Sequence, residues 1–254
     1  MGLHVSHLYE NKRGELERII HSFENEGEDF VIGNRNKLKI FDLDGQKINI
    51  KSFKKPNLVN QIAYKYFRKS KAQRSFEYAE ILLDKGIKTP NPVAFYENFG
   101  PAGIKDSYYA SEQLNANFTL RALVDNDQFP DYENILRKFT KFTFDLHEKG
   151  IEFKDHSPGN TLIVGKNDGN YDFYLVDLNR MSFHSEMSFE QRIKNLARLS
   201  PHQKMIKIIS DEYAKLYHMN AETFFDHFWE ATCKFQYRFF RKKILKSKFR
   251  KKKK

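Results

Sequence analysis

A helix stop, a polar loop and an apolar hairpin follow one another in the middle of this chain, and their order restricts the folds open to it. Residues 139 to 148 have helical apolar spacing and run out at Gly150. The loop that follows reads Phe153-Lys154-Asp155-His156-Ser157-Pro158-Gly159-Asn160. Two short apolar runs come next, Leu162-Ile163-Val164 and Tyr174-Leu175-Val176. They flank Lys166-Asn167-Asp168-Gly169-Asn170, which reads as a hairpin turn. Asp177 follows the second run directly. Such a hairpin is expected to bring Asn160 and Asp177 close together at its open end.

Asp and Asn around Pro-Gly are ordinary turn formers, and an Asp after a strand is common. Combined in this order they suit phosphoryl transfer from ATP, which asks little covalent chemistry of a protein. It needs a carboxylate at the attacking hydroxyl and oxygen ligands for Mg²⁺. Asp155 supplies the first, and Asn160 with Asp177 the second.

Other segments carry a resemblance. Ile48-Asn49-Ile50-Lys51-Ser52-Phe53-Lys54 alternates as a strand. Residues 68 to 79 form a basic, helical run containing Glu77, and Gly86-Ile87-Lys88-Thr89-Pro90-Asn91-Pro92-Val93-Ala94 follows. With the loop and hairpin, these stretches resemble the lipopolysaccharide kinase family that phosphorylates inner-core sugars, over residues 31 to 183. The resemblance implies a bilobal, protein-kinase-like α+β fold, with a small β-rich N-lobe and a larger helical C-lobe. It implies that Lys51 holds the α and β phosphates of ATP and that Glu77 pairs with Lys51. Asp155 would orient the acceptor hydroxyl and take its proton, and Asn160 and Asp177 would ligate Mg²⁺. Gly33, Asn34 and Arg35 would lie in the phosphate loop, and the stretch from Glu112 to Leu114 would be the hinge that meets adenine.

The chain departs from the kinase pattern at several points. Ile32-Gly33-Asn34-Arg35-Asn36-Lys37 has one glycine where three are usual. Phe153 stands where a supporting His is expected, and Asp177-Leu178-Asn179 where Asp-Phe-Gly is expected. Asn179 is the residue expected to take the left-handed backbone there. No Ala-Pro-Glu follows, and Ser188 to Arg192 already reads as a helix start. So short a segment argues for a sugar or small-molecule acceptor.

The net charge of +11 is concentrated at one end. Residues 241 to 254 hold ten Lys and Arg and no acid, and the rest of the chain has 34 basic against 33 acidic residues. Ile244, Leu245 and Phe249 lie among those cations. The segment suits an anionic leaflet, with a solvated tail as the plain alternative. No nucleic-acid-reading module is recognisable, so nucleic acid is not expected as a partner. Residues 45 to 76 hold nine Lys and Arg without an acid, a surface that could meet acidic sugar or phosphate groups. No apolar stretch approaches 18 residues, so no span is expected. The single cysteine, Cys233, lies in an aromatic helical run and is expected in the core.

The expected layout is a helix and connector over residues 1 to 30, an N-lobe over 31 to 114, a helical C-lobe over 115 to 240, and a basic tail over 241 to 254. Within the N-lobe, Asp44-Gly45 is expected to turn a hairpin, residues 65 to 85 to form a helix, and residues 98 to 106 to be turn-like between two strands. Residues 121 to 131 show no clear pattern. The expected function is ATP- and Mg²⁺-dependent phosphorylation of a Kdo or heptose hydroxyl. The acceptor would be a lipid A–core glycolipid, met at the cytoplasmic face of the inner membrane. Two alternatives remain: another small-molecule or protein kinase of this fold, or a catalytically inactive, kinase-like binding module at a membrane.

Overall fold

The computed structural model describes residues 2–32, 36–55, 68–101 and 103–251. The chain forms two compact units. The first comprises Met1–Asn115 and Tyr174–Arg180, and the second Ala116–Phe173 and Met181–Lys254.

The first unit is built on a six-stranded antiparallel sheet. Its strands are β1 (Gly2–Val5), β2 (Glu28–Ile32), β3 (Asn36–Leu43), β4 (Gln46–Phe53), β5 (Pro92–Gly100) and β6 (Gly103–Glu112), in the order β1-β5-β6-β4-β3-β2. Asp44 and Gly45 join β3 to β4 with φ of 51° and 83°, the pair of left-handed residues that a tight hairpin of this twist requires. Alternation along β4 buries Ile48 and Ile50 against Leu16, Ile19 and Phe23 of the N-terminal segment. Lys51 and Phe53, at the alternate positions, face the other side. Helix α1 (Arg13–His21) buries Leu16, Ile19 and Ile20, and α2 (Lys71–Asp84) packs on β5 and β6. The Ser70 hydroxyl caps α2 by accepting from Gln73 N at 3.0 Å.

Three details differ from the sequence reading. Residues 2 to 5, expected within a helix and connector, form edge strand β1, paired with β5 from Gly2↔Glu97 to Val5↔Ala94. The turn expected over residues 98 to 106 is confined to its centre, because β5 runs on to Gly100 and β6 begins at Gly103. Residues 121 to 125, without a clear pattern in the sequence, form a short helix, α3 (Arg121–Asp125).

The second unit is mainly helical: α3, α4 (Tyr132–Glu148), α5 (Phe189–Leu196), α6 (Gln203–Leu216) and α7 (Ala221–Lys251). Their facing sides enclose Leu136, Phe139, Ile209, Tyr213, Phe224 and Phe228. A sheet ordered β10-β9-β7 is made by β7 (Phe118–Thr119), β9 (Thr161–Gly165) and β10 (Tyr171–Leu175), with the chain passing to the first unit at Tyr174. Strands β8 (Ile151–Phe153) and β11 (Met181–Phe183) form a separate pair. Helix α5 opens with a capping box between Ser188 and Gln191.

Gly150 is fixed by two demands. It ends the α4 turn at φ of 70°, and a Cβ there would sit 2.0 Å from the His184 carbonyl oxygen. Helix α7 carries the basic C-terminal segment forward as helix through Lys251. Phe224 and Phe228 on it are buried, whereas Tyr237, Phe239, Phe240 and Ile244 are exposed. Cys233 is exposed as well, contrary to the core placement expected, because it lies on the outward side of α7, next to buried Thr232. Among the described residues, no helix is long and apolar enough to cross a membrane.

Candidate active site

In the second unit, α4 and β8 deliver the chain into the Asp155 loop. The carbonyl of Asp155 accepts from Ser157 N at 2.6 Å and from Asn160 Nδ2 at 2.9 Å. Asp155 and Asn160 are thereby locked into one turn. The Asn160 amide group faces inward to the loop, which leaves its Oδ1 as the end able to meet a cation. The Asp155 carboxylate, 19% exposed, has Arg198 Nη2 at 3.3 Å from Oδ1.

A buried polar network supports the loop. The carbonyl of Phe153 accepts from Asn195 Nδ2 at 2.8 Å and from His156 N at 3.0 Å. Asn195 Oδ1 is 3.1 Å from both His147 Nε2 and His156 Nδ1. An amide oxygen only accepts, so each of those ring nitrogens carries the hydrogen. His147 Nδ1 is then the acceptor for the Tyr213 hydroxyl at 2.7 Å. Burial holds both imidazoles neutral, lowering His147 to about 3 and His156 to about 4. Phe153, in the place where a supporting His was expected, is fully buried beside the His156 ring.

In the first unit, Lys51 Nζ lies 2.5 Å from Asp177 Oδ1, and Asn179 Nδ2 donates to the same oxygen at 2.6 Å. The segment bearing Asp177 is tied down by Leu175, whose N–H donates to Lys88 O at 3.0 Å and whose carbonyl accepts from Thr89 Oγ1 at 2.8 Å. The left-handed residue is Asp177 itself, at φ of 61°, not Asn179. Asn179 serves by its side chain instead. Lys51 and Lys71 both lie over the Phe53 ring, at 5.3 and 5.8 Å from its centre. Burial pulls the Lys71 ammonium below its ordinary range; Asp177 opposes this, and Lys51, Arg74 and Arg180 add to it.

Glu77 is not paired with Lys51. Its carboxylate takes Lys69 Nζ at 2.8 Å on both oxygens and Gln73 Nε2 at 3.0 Å. Lys69 and Gln73 lie eight and four residues before Glu77, within easy local reach, whereas Lys51 has Asp177 at closer range.

Glu112 ends β6 with both carboxylate oxygens engaged, by Tyr9 OH at 2.5 Å and Asn91 Nδ2 at 2.9 Å. Burial and that carboxylate push the Tyr9 hydroxyl up to about 12. The backbone N–H groups of Glu112 and Gln113 donate to Asn91 O and Lys47 O. Glu112, Gln113, Leu114 and Tyr174 line a cavity of about 290 Å³. Gly33, Asn34 and Arg35 lie outside the described residues.

The lipopolysaccharide kinase (Kdo/WaaP) family matches residues 32–219. The chain belongs to this family. Among solved structures, it is similar to WaaP in complex with acyl carrier protein, at 15% identity and a TM-score of 0.61, over 88% of this chain and 91% of that one. No curated protein sequence matches. The mixed sheet-and-helix architecture is thus that of a lipopolysaccharide kinase, a phosphotransferase family. A kinase family implies a nucleotide and a divalent ion. Among the described residues no group of three or more His, Cys, Asp and Glu could hold a metal alone. Sequence reading of this kinase did not single out His147, Asn195 and Arg198. His147 and Asn195 come from helices and Arg198 from the turn after α5, places where these residue types are unremarkable, and no local pattern marks them.

Proposed function

We propose that this lipopolysaccharide kinase transfers the γ-phosphoryl group of ATP, with Mg²⁺, to a sugar hydroxyl of the lipopolysaccharide inner core. The observation that carries the reading is the Lys51–Asp177 pair at 2.5 Å, between residues 126 apart in sequence. A lysine on an alternating strand beside a carboxylate in a strained turn is a plan for phosphate and metal together.

Asp155 orients the acceptor hydroxyl and receives its proton. Asn160 Oδ1 and Asp177 Oδ2 are the oxygens that would hold Mg²⁺, which supplies neutralisation of phosphate charge when bound. Lys51 holds the α and β phosphates as a point charge. Glu77 would give up Lys69 and pair with Lys51 in the nucleotide-bound enzyme, leaving the Asp177 carboxylate to hold Mg²⁺. Gly33, Asn34 and Arg35 cradle phosphate. Near Glu112, adenine meets Leu114, whose N–H has no backbone partner among the described residues. The N-lobe and the C-lobe divide near residue 115.

The acceptor is Kdo or heptose on a lipid A–core glycolipid at the inner face of the inner membrane. The exposed end of α7 serves the same purpose: its Lys and Arg residues each contribute about 1 kcal/mol near an anionic leaflet, and Phe240 and Ile244 stand exposed among them. Flotation with anionic and neutral vesicles tests that attachment. The similarity to the WaaP complex makes acyl carrier protein a candidate partner, tested by co-purification.

The deciding assay is phosphate transfer from labelled ATP to a lipopolysaccharide extract, comparing wild type with Asp155→Ala and Asp177→Ala. Transfer abolished by both substitutions is expected. Folded wild-type protein that binds ATP but transfers nothing would favour another acceptor, and one that binds no ATP would favour an inactive binding module.

A further inference from the structure

The side chain that reaches Asp155 comes from outside the loop. Arg198 follows α5 and directs its guanidinium to three things at once. Nη2 is 3.3 Å from Asp155 Oδ1, Nη1 donates to the Lys154 carbonyl, and the group lies 5.4 Å from the centre of the Phe235 ring on α7. Nε is buried with no hydrogen-bond partner among the described residues. An unpaired buried N–H is costly, so the guanidinium is held where it is by contacts that outweigh that cost. Those contacts are the Asp155 loop on one side and an aromatic face on the other. Phe235 is in turn stacked on Phe239 at 6.2 Å, at the point where α7 leaves the body. Asp155 is thus held from within the loop, where Asn160 and Ser157 donate to its carbonyl, and from without, where Arg198 meets its carboxylate and the preceding carbonyl.

We propose that Arg198 is a positioning residue for Asp155, and that Phe235 positions Arg198, so that the last helix of the chain sets the geometry of the catalytic loop. The inference rests on the reading of Asp155 as the residue that receives the acceptor's proton. A planar fork spans a carboxylate and a carbonyl at once while stacking on a ring, and an ammonium cannot do all three. Lysine at this position therefore restores the charge and only part of the placement.

The test pairs hydrogen exchange of residues 153 to 160 with steady-state kinetics on ATP and lipopolysaccharide extract, for wild type, Arg198→Gln, Arg198→Lys, Phe235→Ala and Phe235→Leu. Arg198→Gln is expected to speed exchange in that loop by about tenfold without changing exchange in α6, as a local opening does. Its kcat is expected to fall by roughly 100-fold with KM for ATP within about twofold, the mark of a misplaced group and not of lost binding. Arg198→Lys should recover part of kcat, Phe235→Leu most of it, and Phe235→Ala should sit between. Unchanged loop exchange in both Arg198→Gln and Phe235→Ala overturns the proposal whatever the activities are. Should Arg198→Gln fail to fold, the two Phe235 variants carry the same comparison. If wild type phosphorylates nothing yet loop exchange responds as described, positioning of the loop stands and the kinase reading fails.

Discussion

The loop that carries Asp155 rests on side chains sealed from water, whereas the helix that carries Glu77 settles its charge partly in solvent. His147 and His156 are fully buried, Asn195 nearly so, and every hydrogen bond that Asn195 makes to them is matched in donor and acceptor. Lys69 and Glu77, by contrast, keep side-chain exposures of 59% and 27%. A buried network has one arrangement, because breaking any bond strands a desolvated group. A half-exposed ion pair is worth about 0–1 kcal/mol and exchanges partners at little cost. The chemistry assigned to the two places fits the contrast: a proton acceptor must stand still, while a lysine that releases one carboxylate for another must be able to let go.

The first way to break the comparison is Asp155→Asn, which removes the acceptor of the proton and leaves the loop's backbone bonds in place. A fall in kcat of about 10²–10⁴-fold is expected, read in the lipopolysaccharide transfer assay. Asn195→Leu comes next. It leaves two imidazole N–H groups without their acceptor and takes one of two donors from the Phe153 carbonyl, and urea unfolding should show a loss of about 3 kcal/mol or more. If Asn195→Leu is nearly as stable as wild type, the loop does not owe its rigidity to this network.

The same network predicts acid sensitivity. His147 and His156 titrate at about 3 and about 4 when folded, below the ordinary 6.5 of the unfolded chain. Between those limits the unfolded chain binds more protons, so stability rises with pH. It is therefore lost as pH falls below 6.5, by at most about 1.4 kcal/mol per pH unit for each group, and this contribution levels off below a pH of about 3. Denaturant midpoints between pH 7 and pH 4 measure it, and Asn195→Leu should change the slope. The smallest effect belongs to Glu77→Gln, which should cost about 0.5 kcal/mol or less in stability. Its kcat sharpens the comparison. A fall of tenfold or more would mean that Glu77 does move to Lys51 during turnover, and an unchanged kcat would leave Lys51 to Asp177.

What could be read from the sequence was local. Asp44-Gly45, the turn from Lys166 to Asn170, and the helix start at Ser188 each carry their geometry within a few residues, whereas the helix expected from residue 65 begins only at Lys71. The family was legible for the same reason, since its motifs are short. Residues 2 to 5 read as part of a helix and connector because they become a strand only by pairing with β5, about ninety residues on. Arg198 and Asn195 take their meaning from loops some forty residues earlier. The choice of Lys69 over Lys51 by Glu77 turns on energies of the size of thermal motion, which no spacing rule resolves. The left-handed residue was assigned to Asn179 on propensity. Asp177 takes that conformation instead, where its oxygen gathers both Lys51 and Asn179.

The short strand β1 has a practical consequence for anyone handling the protein. It closes one side of the six-stranded sheet by covering β5, a strand of nine residues. Trimming residues 2 to 5 from an expressed version would bare a long row of unpaired amides and carbonyls, a template on which further copies could add. Poor solubility of such a shortened version would then report a lost border strand and say nothing about the phosphate-transfer chemistry.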